Sequence, residues 1–145
     1  MKILLTGGAG CIGSHTVIAL VQSGHDIVIA DNFSNSSYLV IDRLEEICEK
    51  RIKYYQVDIA NQSELKKICQ KDEFEAPIHF SSLKTVGESI EEPLRYYSVN
   101  LSTTLSLCSV TLDLGIGNLV FSSSATVYGE PERVPLDESC RTNSV

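Results

Sequence analysis

Positive charge, long apolar runs and paired cysteines are all scarce in this sequence. Its 145 residues carry 12 Lys and Arg against 19 Asp and Glu, a net charge of −7. Nucleic acid would repel such a chain overall, so no nucleic-acid partner is expected. No apolar run approaches the roughly 20 residues that a membrane helix needs, and no membrane partner is expected either. The chain opens Met1-Lys2 and runs straight into a strand-like segment, without the pattern of a signal peptide. The five cysteines, Cys11, Cys48, Cys69, Cys108 and Cys140, show no C-x-x-C spacing. An odd set of this kind fits free thiols in a reducing cytoplasm. Internal repeats and low-complexity linkers are missing as well. What remains is 43% hydrophobic and 21% charged residues, a globular balance at a length suited to one domain.

Short apolar runs alternate with helical patterns. Residues 2–6, Lys-Ile-Leu-Leu-Thr, form a continuous β-favouring run of the kind covered on both faces. A glycine-rich turn follows, then a helix over about 12–23 closed by Gly24. A second strand covers 27–30 and ends at Asp31; 32–37 is polar and turn-like. A helix over about 38–50 carries Val40, Leu44 and Ile47 on one face. The third strand is expected over 52–57, and Asn61 with Glu64 reads as a reciprocal N-cap pair for the next helix. The fourth strand is expected over 78–80, with Pro77 at its start because proline is poorly placed inside a central strand. The longest helix runs over about 93–113, with Leu94, Tyr97, Leu101, Leu105, Cys108 and Leu112 recurring at spacings of three and four. Gly115 and Gly117 end it, 118–121 is the fifth strand, and from Gly129 onward no clear element stands out. Alternation of this length implies βαβ units with right-handed crossovers: an α/β fold with a Rossmann-like, doubly wound parallel sheet of about five strands.

The strongest motif is Thr6-Gly7-Gly8-Ala9-Gly10-Cys11-Ile12-Gly13, between the first strand and the first helix. Glycine serves here for the tight turn, for approach of a diphosphate to bare backbone, and for close packing of helix on strand. First-turn N–H groups then face the anion at the positive end of the helix. The strand before it and the helix after it lift the pattern above a chance glycine-rich turn. Asp31 ends the second strand, where a carboxylate accepts both hydroxyls of an adenosine ribose and repels a 2′-phosphate. It therefore favours NAD over NADP. The plain alternative is a loop-capping aspartate. Asp58, at the end of the third run, is a candidate adenine-side contact, although Asp is also a common turn residue.

These residues resemble the extended short-chain dehydrogenase/reductase superfamily, whose fingerprint is Thr-Gly-x-x-Gly-x-x-Gly. Further runs narrow the resemblance to the UDP-glucose 4-epimerase family. They are Asp31-Asn32-Phe33-Ser34-Asn35, Val57-Asp58-Ile59, His79-Phe80, Leu83-Lys84-Thr85-Val86-Gly87-Glu88-Ser89, Pro93-Leu94 with Tyr96-Tyr97, and Phe121-Ser122-Ser123-Ser124-Ala125-Thr126-Val127-Tyr128-Gly129. The resemblance covers the whole chain but only about the first two-fifths of a typical member.

The resemblance implies an NAD site in which Gly7, Gly10 and Gly13 shape the loop, and Cys11 and Ile12 meet the diphosphate. Asp31, Asn32, Phe33, Ser34, Asn35 and Ser36 would surround the adenosine ribose, and Asp58 and Ile59 would flank the adenine. Phe80, Ser81, Ser82 and Lys84 would line the nicotinamide side. Asn100 and Ser122 would complete the cofactor contacts, and Ser124 matches the family's catalytic serine. It further implies reversible oxidation at carbon 4 of a UDP-sugar, with the base a tyrosine in a Tyr-x-x-x-Lys pair, and a homodimer. No Tyr-x-x-x-Lys pair occurs in these 145 residues, and tyrosines stop at Tyr128. In the family that helix follows a stretch like 138–143. The chain is therefore expected to be an incomplete NAD-binding domain over 1–145, without the substrate domain and inactive alone.

Departures from the family pattern are Cys11 in place of an aromatic, Ser81-Ser82 in place of an Ala-Gly pair, Ser102-Thr103 in place of a pair ending in glycine, and Pro77 in place of an apolar residue. A catalytically silent nucleotide-binding or interaction module, and a different nucleotide-sugar enzyme, stay open as alternatives. His15 and His79 read as structural, Glu45, Glu46, Glu49 and Lys50 as a solvated helix face, and the leucine face of the long helix as core or a subunit contact.

Overall fold

The computed structural model describes residues 1–130 and 133–142. Asn143, which closes the stretch resembling the family's approach to its tyrosine helix, lies outside the described residues. The elements in chain order are β1 (Lys2–Thr6), α1 (Cys11–Gln22), β2 (Asp26–Asp31), α2 (Leu39–Cys48), β3 (Lys53–Gln56), α3 (Gln62–Asp72), β4 (Ala76–His79), α4 (Val86–Glu91), α5 (Pro93–Asp113) and β5 (Val120–Phe121). A 3₁₀ turn, Ala125–Tyr128, follows β5.

All strands are parallel, in the order β3-β2-β1-β4-β5. The chain winds outward from β1 on one side, then returns to place β4 on the other. That reversal opens a crevice beyond the carboxyl ends of β1 and β4. Side chains alternate across β1 as a strand requires. Leu4 enters a core layer with Val28, Val57, Leu65, Ile68, Leu107 and Val110, under α3 and α5. Ile3 and Leu5 enter the opposite layer with Val17, Ile29, Ile41 and Leu44, under α1 and α2. Helices thus cover both faces, which is why β1 reads as an unbroken apolar run. Among the described residues no helix is long and apolar enough to cross a membrane.

Several elements differ from the sequence expectation. Pro77 stands second in β4, fully buried, not at its start. Phe80 N–H donates to Thr6 O, and Ser122 N–H donates to His79 O. Even-numbered residues of β4 therefore bond toward β1 and odd-numbered ones toward β5. The hydrogen that Pro77 lacks would point to the β5 side, where β5 pairs only with Ile78 and His79. A proline is tolerated because the neighbouring strand is too short to reach it. β5 itself is two residues long against the four expected.

In α2 the buried side chains are Ile41 and Leu44, while Ile47 is exposed. The short α4 has no counterpart in the sequence expectation. At α3 the Asn61 side chain accepts from Glu64 N–H at 3.3 Å, as an N-cap should.

The larger difference is in α5. Its leucine stripe is not core: Leu94, Leu105 and Leu112 are 83%, 66% and 81% exposed. The face turned to the sheet carries Thr103, Ser106, Leu107, Val110 and Thr111. Threonines can be buried there because their hydroxyls bond back to the helix. Thr103 can donate to Val99 O at 2.9 Å, and Thr111 donates to Cys108 O at 2.9 Å.

At the amino end of the sheet, Asp72 is buried and accepts from Lys2 Nζ at 2.9 Å, Lys53 Nζ at 2.5 Å and Tyr55 Oη at 2.7 Å. Burial opposes its charge, but the bonds from Lys53, Tyr55 and Lys2 outweigh it and hold the carboxyl at about 2. These contacts tie the starts of β1 and β3 to the end of α3.

Candidate functional site

The candidate site lies in the crevice at the carboxyl end of the sheet, an open cleft of about 490 Å³. Its floor is the turn between β1 and α1. Gly7 has φ +71 and donates its N–H to Ala30 O at 2.8 Å. A Cβ at Gly7 would lie 2.8 Å from the Phe80 carbonyl carbon and from Ser81 N, so the turn presses directly on the loop after β4. A Cβ at Gly13 would collide with Gly7 O, so only glycine lets α1 start this close to the turn. The first helical bond of the turn is Ser14 N–H to Gly10 O at 2.9 Å. The amides of Cys11, Ile12 and Gly13 precede it and have no intrahelical partner, at the positive end of the helix. Cys11 and Ile12 are exposed there, and Gly13 is buried.

Asp31, at the tip of β2, is 8% exposed. Its Oδ2 accepts from Ala9 N–H at 3.0 Å, and its Oδ1 from Phe33 N–H at 2.9 Å and the Ser36 hydroxyl at 3.2 Å. The carboxylate is thus tied directly to the glycine turn, at the edge of the cleft. Asn32 Oδ1 accepts from Ser34 N–H at 3.0 Å, which continues the loop. Phe33 takes φ 55, and its ring stacks on Tyr38 at 4.2 Å between centroids. Asp58 is exposed and holds its own turn by accepting from Ala60 N–H at 2.9 Å.

The structure gathers twelve of the sequence-predicted residues around the cleft. They are Gly7, Gly10, Asp31, Asn32, Ser34, Asn35, Ser36, Asp58, Ile59, Phe80, Ser81 and Ser82. Cys11, Ile12, Gly13 and Phe33 flank it through the glycine turn and the loop after β2 without lining it. Lys84 is exposed and outside the lining. Asn100 faces the loop after β4: its Oδ1 accepts from Leu83 N–H at 2.8 Å, and its Nδ2 donates to Leu83 O at 3.1 Å. Ser122 continues the β5 pairing through its backbone. Ser124 is exposed and caps the 3₁₀ turn, accepting from Thr126 N–H at 3.3 Å.

Sequence reasoning missed one wall of the cleft. Arg95, Ser98, Val99, Ser102 and Thr103 line it from α5. Their spacing of three and four was the available signal, hidden by the more conspicuous leucine stripe on the same helix. Arg95 Nη1 donates to Glu88 at 2.6 Å and to Glu92 at 2.8 Å, which joins α4 to the start of α5. Behind the wall, His79 is buried, and burial together with the Lys84 charge pushes its imidazole down to about 4.

Comparison with known proteins bears on this geometry. The family model described as "NAD dependent epimerase/dehydratase family" matches residues 3–145. The chain is 47% identical over 141 residues to a UDP-glucose 4-epimerase of Pasteurella multocida, covering 97% of this chain and 42% of that protein. It is 46% identical over 144 residues to the UDP-glucose 4-epimerase of Mus musculus, covering 95% and 42%. Among solved structures it is similar to UDP-glucose 4-epimerase from Bifidobacterium longum in complex with NAD+ and UDP. The TM-score is 0.95 and the identity 39%, over 99% of this chain and 43% of that one. The chain thus spans about two-fifths of the length of the relatives it matches. With the family model matched over residues 3–145 and a fold similar to that solved epimerase at a TM-score of 0.95, the chain belongs to the NAD dependent epimerase/dehydratase family.

Proposed function

We propose that residues 1–145 form the NAD-binding domain of a UDP-glucose 4-epimerase, with the dinucleotide laid across the cleft at the sheet's switch point. One observation carries the reading: the Asp31 carboxylate accepts from Ala9 N–H, so the ribose-side acid and the diphosphate turn form one hydrogen-bonded unit. The free first-turn amides of Cys11 to Gly13 suit a diphosphate. The bare backbone at Gly7 and Gly13 leaves no Cβ in the way. Asp31 carries a charge that suits two ribose hydroxyls and opposes a 2′-phosphate. Ile59 and Val57 offer an apolar wall to the adenine, and Ser81 and Ser82 line the far side of the cleft.

Bound NAD supplies the hydride acceptor and donor for reversible oxidation at carbon 4 of a UDP-sugar. The chain's own residues orient it: the turn fixes the diphosphate, Asp31 fixes the adenosine end, and the loop after β4 shapes the other end. Ser124 is the residue assigned to hydrogen-bond the sugar oxygen. Its exposed hydroxyl, 2.8 Å from Thr126 Oγ1, is free to exchange that partner for substrate. No Tyr-x-x-x-Lys pair is among these 145 residues, so the proton-abstracting step is assigned to none of them. A homodimer belongs to the same reading, with the exposed leucine stripe of α5 as the candidate contact.

Calorimetric titration of the 145-residue chain tests the proposal. NAD is expected to bind at micromolar or weaker affinity, more tightly than NADP, with no turnover of UDP-galactose. Absence of NAD binding at millimolar concentration overturns the cofactor assignment. Robust turnover by a pure sample overturns the assignment of the base to residues outside this chain.

A further inference from the structure

His79 is a group the cofactor reading leaves unused, and its surroundings are unusually determined. It ends β4, is 2% exposed, and pairs in register with Thr6, the last residue of β1. Its Nδ1 lies 2.6 Å from Thr6 Oγ1 and its Nε2 lies 3.2 Å from Thr104 Oγ1. The Thr104 hydroxyl already donates its one hydrogen to Asn100 O at 2.8 Å. The contact with Asn100 O is the shorter of the two, which assigns Thr104 Oγ1 as acceptor from the imidazole and the ring hydrogen to Nε2. In the buried, neutral ring Nδ1 is then a lone pair to which Thr6 donates. The Phe121 ring stacks on the imidazole at 5.8 Å between centroids.

The hydrogen bonds continue beyond Thr104. The Asn100 amide clasps both backbone groups of Leu83. One connected line thus runs from Thr6, just before the glycine turn, through His79, Thr104 and Asn100 to Leu83 in the opposite wall of the cleft. The floor and the loop after β4 also touch directly at Gly7, Phe80 and Ser81. The line therefore braces the floor of the cleft against its Leu83 side.

We propose that His79, fixed as the neutral Nε2–H tautomer between Thr6 and Thr104, is a positioning residue that sets the spacing of the glycine turn and the Ser81–Leu83 wall for dinucleotide binding. The effect on binding rests on the NAD reading; the relay itself does not. Thr104 does not line the cleft, so its effect on a ligand must pass through His79 and Asn100.

The test is a double-mutant cycle with His79→Phe and Thr104→Val in the full chain. It has three readouts: NAD affinity by calorimetry, Leu83 amide exchange, and the imidazole ¹⁵N spectrum. The wild-type spectrum should show a neutral ring with its proton on Nε2. Thr104→Val should speed Leu83 exchange and weaken NAD binding about fivefold, with no further loss when added to His79→Phe. Should His79→Phe fail to fold, the Thr104→Val arm and the spectrum decide alone. Unchanged Leu83 exchange in Thr104→Val, or a ring proton on Nδ1, overturns the relay. Altered exchange in a chain whose wild type binds no NAD overturns the NAD reading and leaves the relay standing. Faster exchange with unaltered NAD affinity overturns the positioning role.

Discussion

Two aspartates lie buried at opposite ends of one sheet, and their charges are met in opposite ways. At the amino end, Asp72 accepts from two lysines and a tyrosine. At the carboxyl end, Asp31 accepts only from neutral donors, two backbone amides and a serine hydroxyl. Among the described residues no cation bridges it. A carboxylate matched by its own cations serves the fold, because nothing is left for a ligand to satisfy. One held in place by amides keeps its charge available at the mouth of a cleft.

The contrast predicts opposite phenotypes. The largest expected effect is Asp31→Asn, which should weaken NAD binding about a hundredfold, since each hydrogen bond from a ligand to a charged acceptor contributes about 1.5–3 kcal/mol. Its melting temperature should fall less than that of Asp72→Asn, because the amide oxygen still accepts from Phe33 N–H and only the neutral bond from Ala9 N–H is lost. A calorimetric titration showing unchanged affinity would break the comparison at its functional end.

Acid separates the two ends next. His79 has its pKa lowered from 6.5 to about 4, so the unfolded chain binds the proton first. Its neutral form contributes fully above pH 6.5, and that contribution, about 3 kcal/mol, fades as the pH falls toward 4. Asp72 is lowered from 3.8 to about 2. Its contribution, about 2 kcal/mol, is present above pH 3.8 and is lost only as the pH falls toward 2. Denaturant midpoints from pH 7 to 2 should fall in two stages, and His79→Phe should remove the first stage. A single stage below pH 4 would contradict the assignment.

Asp72→Asn mirrors the first substitution. It should destabilise the fold by about 2 kcal/mol, a drop of roughly 6 °C in Tm, and leave NAD affinity unaltered. Lys53→Met should act in the same direction, more weakly, and its effect should shrink in high salt, since Lys53 is 46% exposed. An equal effect of both substitutions would mean that Asp72 depends on one partner alone.

The legibility of each feature in the sequence followed how local its chemistry is. The turn from Gly7 to Gly13 and Asp31 were readable because each demands a residue type at a fixed place, whatever surrounds it. The Asp72 cluster was not, since Lys2 from β1 and Lys53 and Tyr55 from β3 converge on it at the end of α3. Periodicity located α5 but not its orientation. The helix carries a leucine stripe, a hydroxyl-bearing stripe and a cleft-facing stripe, and which of them meets the sheet is decided by packing. Pro77 misled for a related reason: its tolerance depends on the length of β5, which nothing near Pro77 encodes. Asn100 stands out by resemblance, but its clasp on Leu83 exists only in three dimensions.

The central position of β1 also bears on how the chain is made. Of the five strands described it is translated earliest, yet one of the two neighbours it needs follows far later: Thr6 and its partner His79 are 73 residues apart. At about 5–20 residues per second, that interval is roughly 4–15 s. During it, one edge of the most apolar strand has β2 on one side and nothing on the other. The sheet's middle is therefore a late seam, closed only when β4 is made and followed only by the pairing of β5 with β4, and until then the nascent chain exposes an edge that the finished sheet covers.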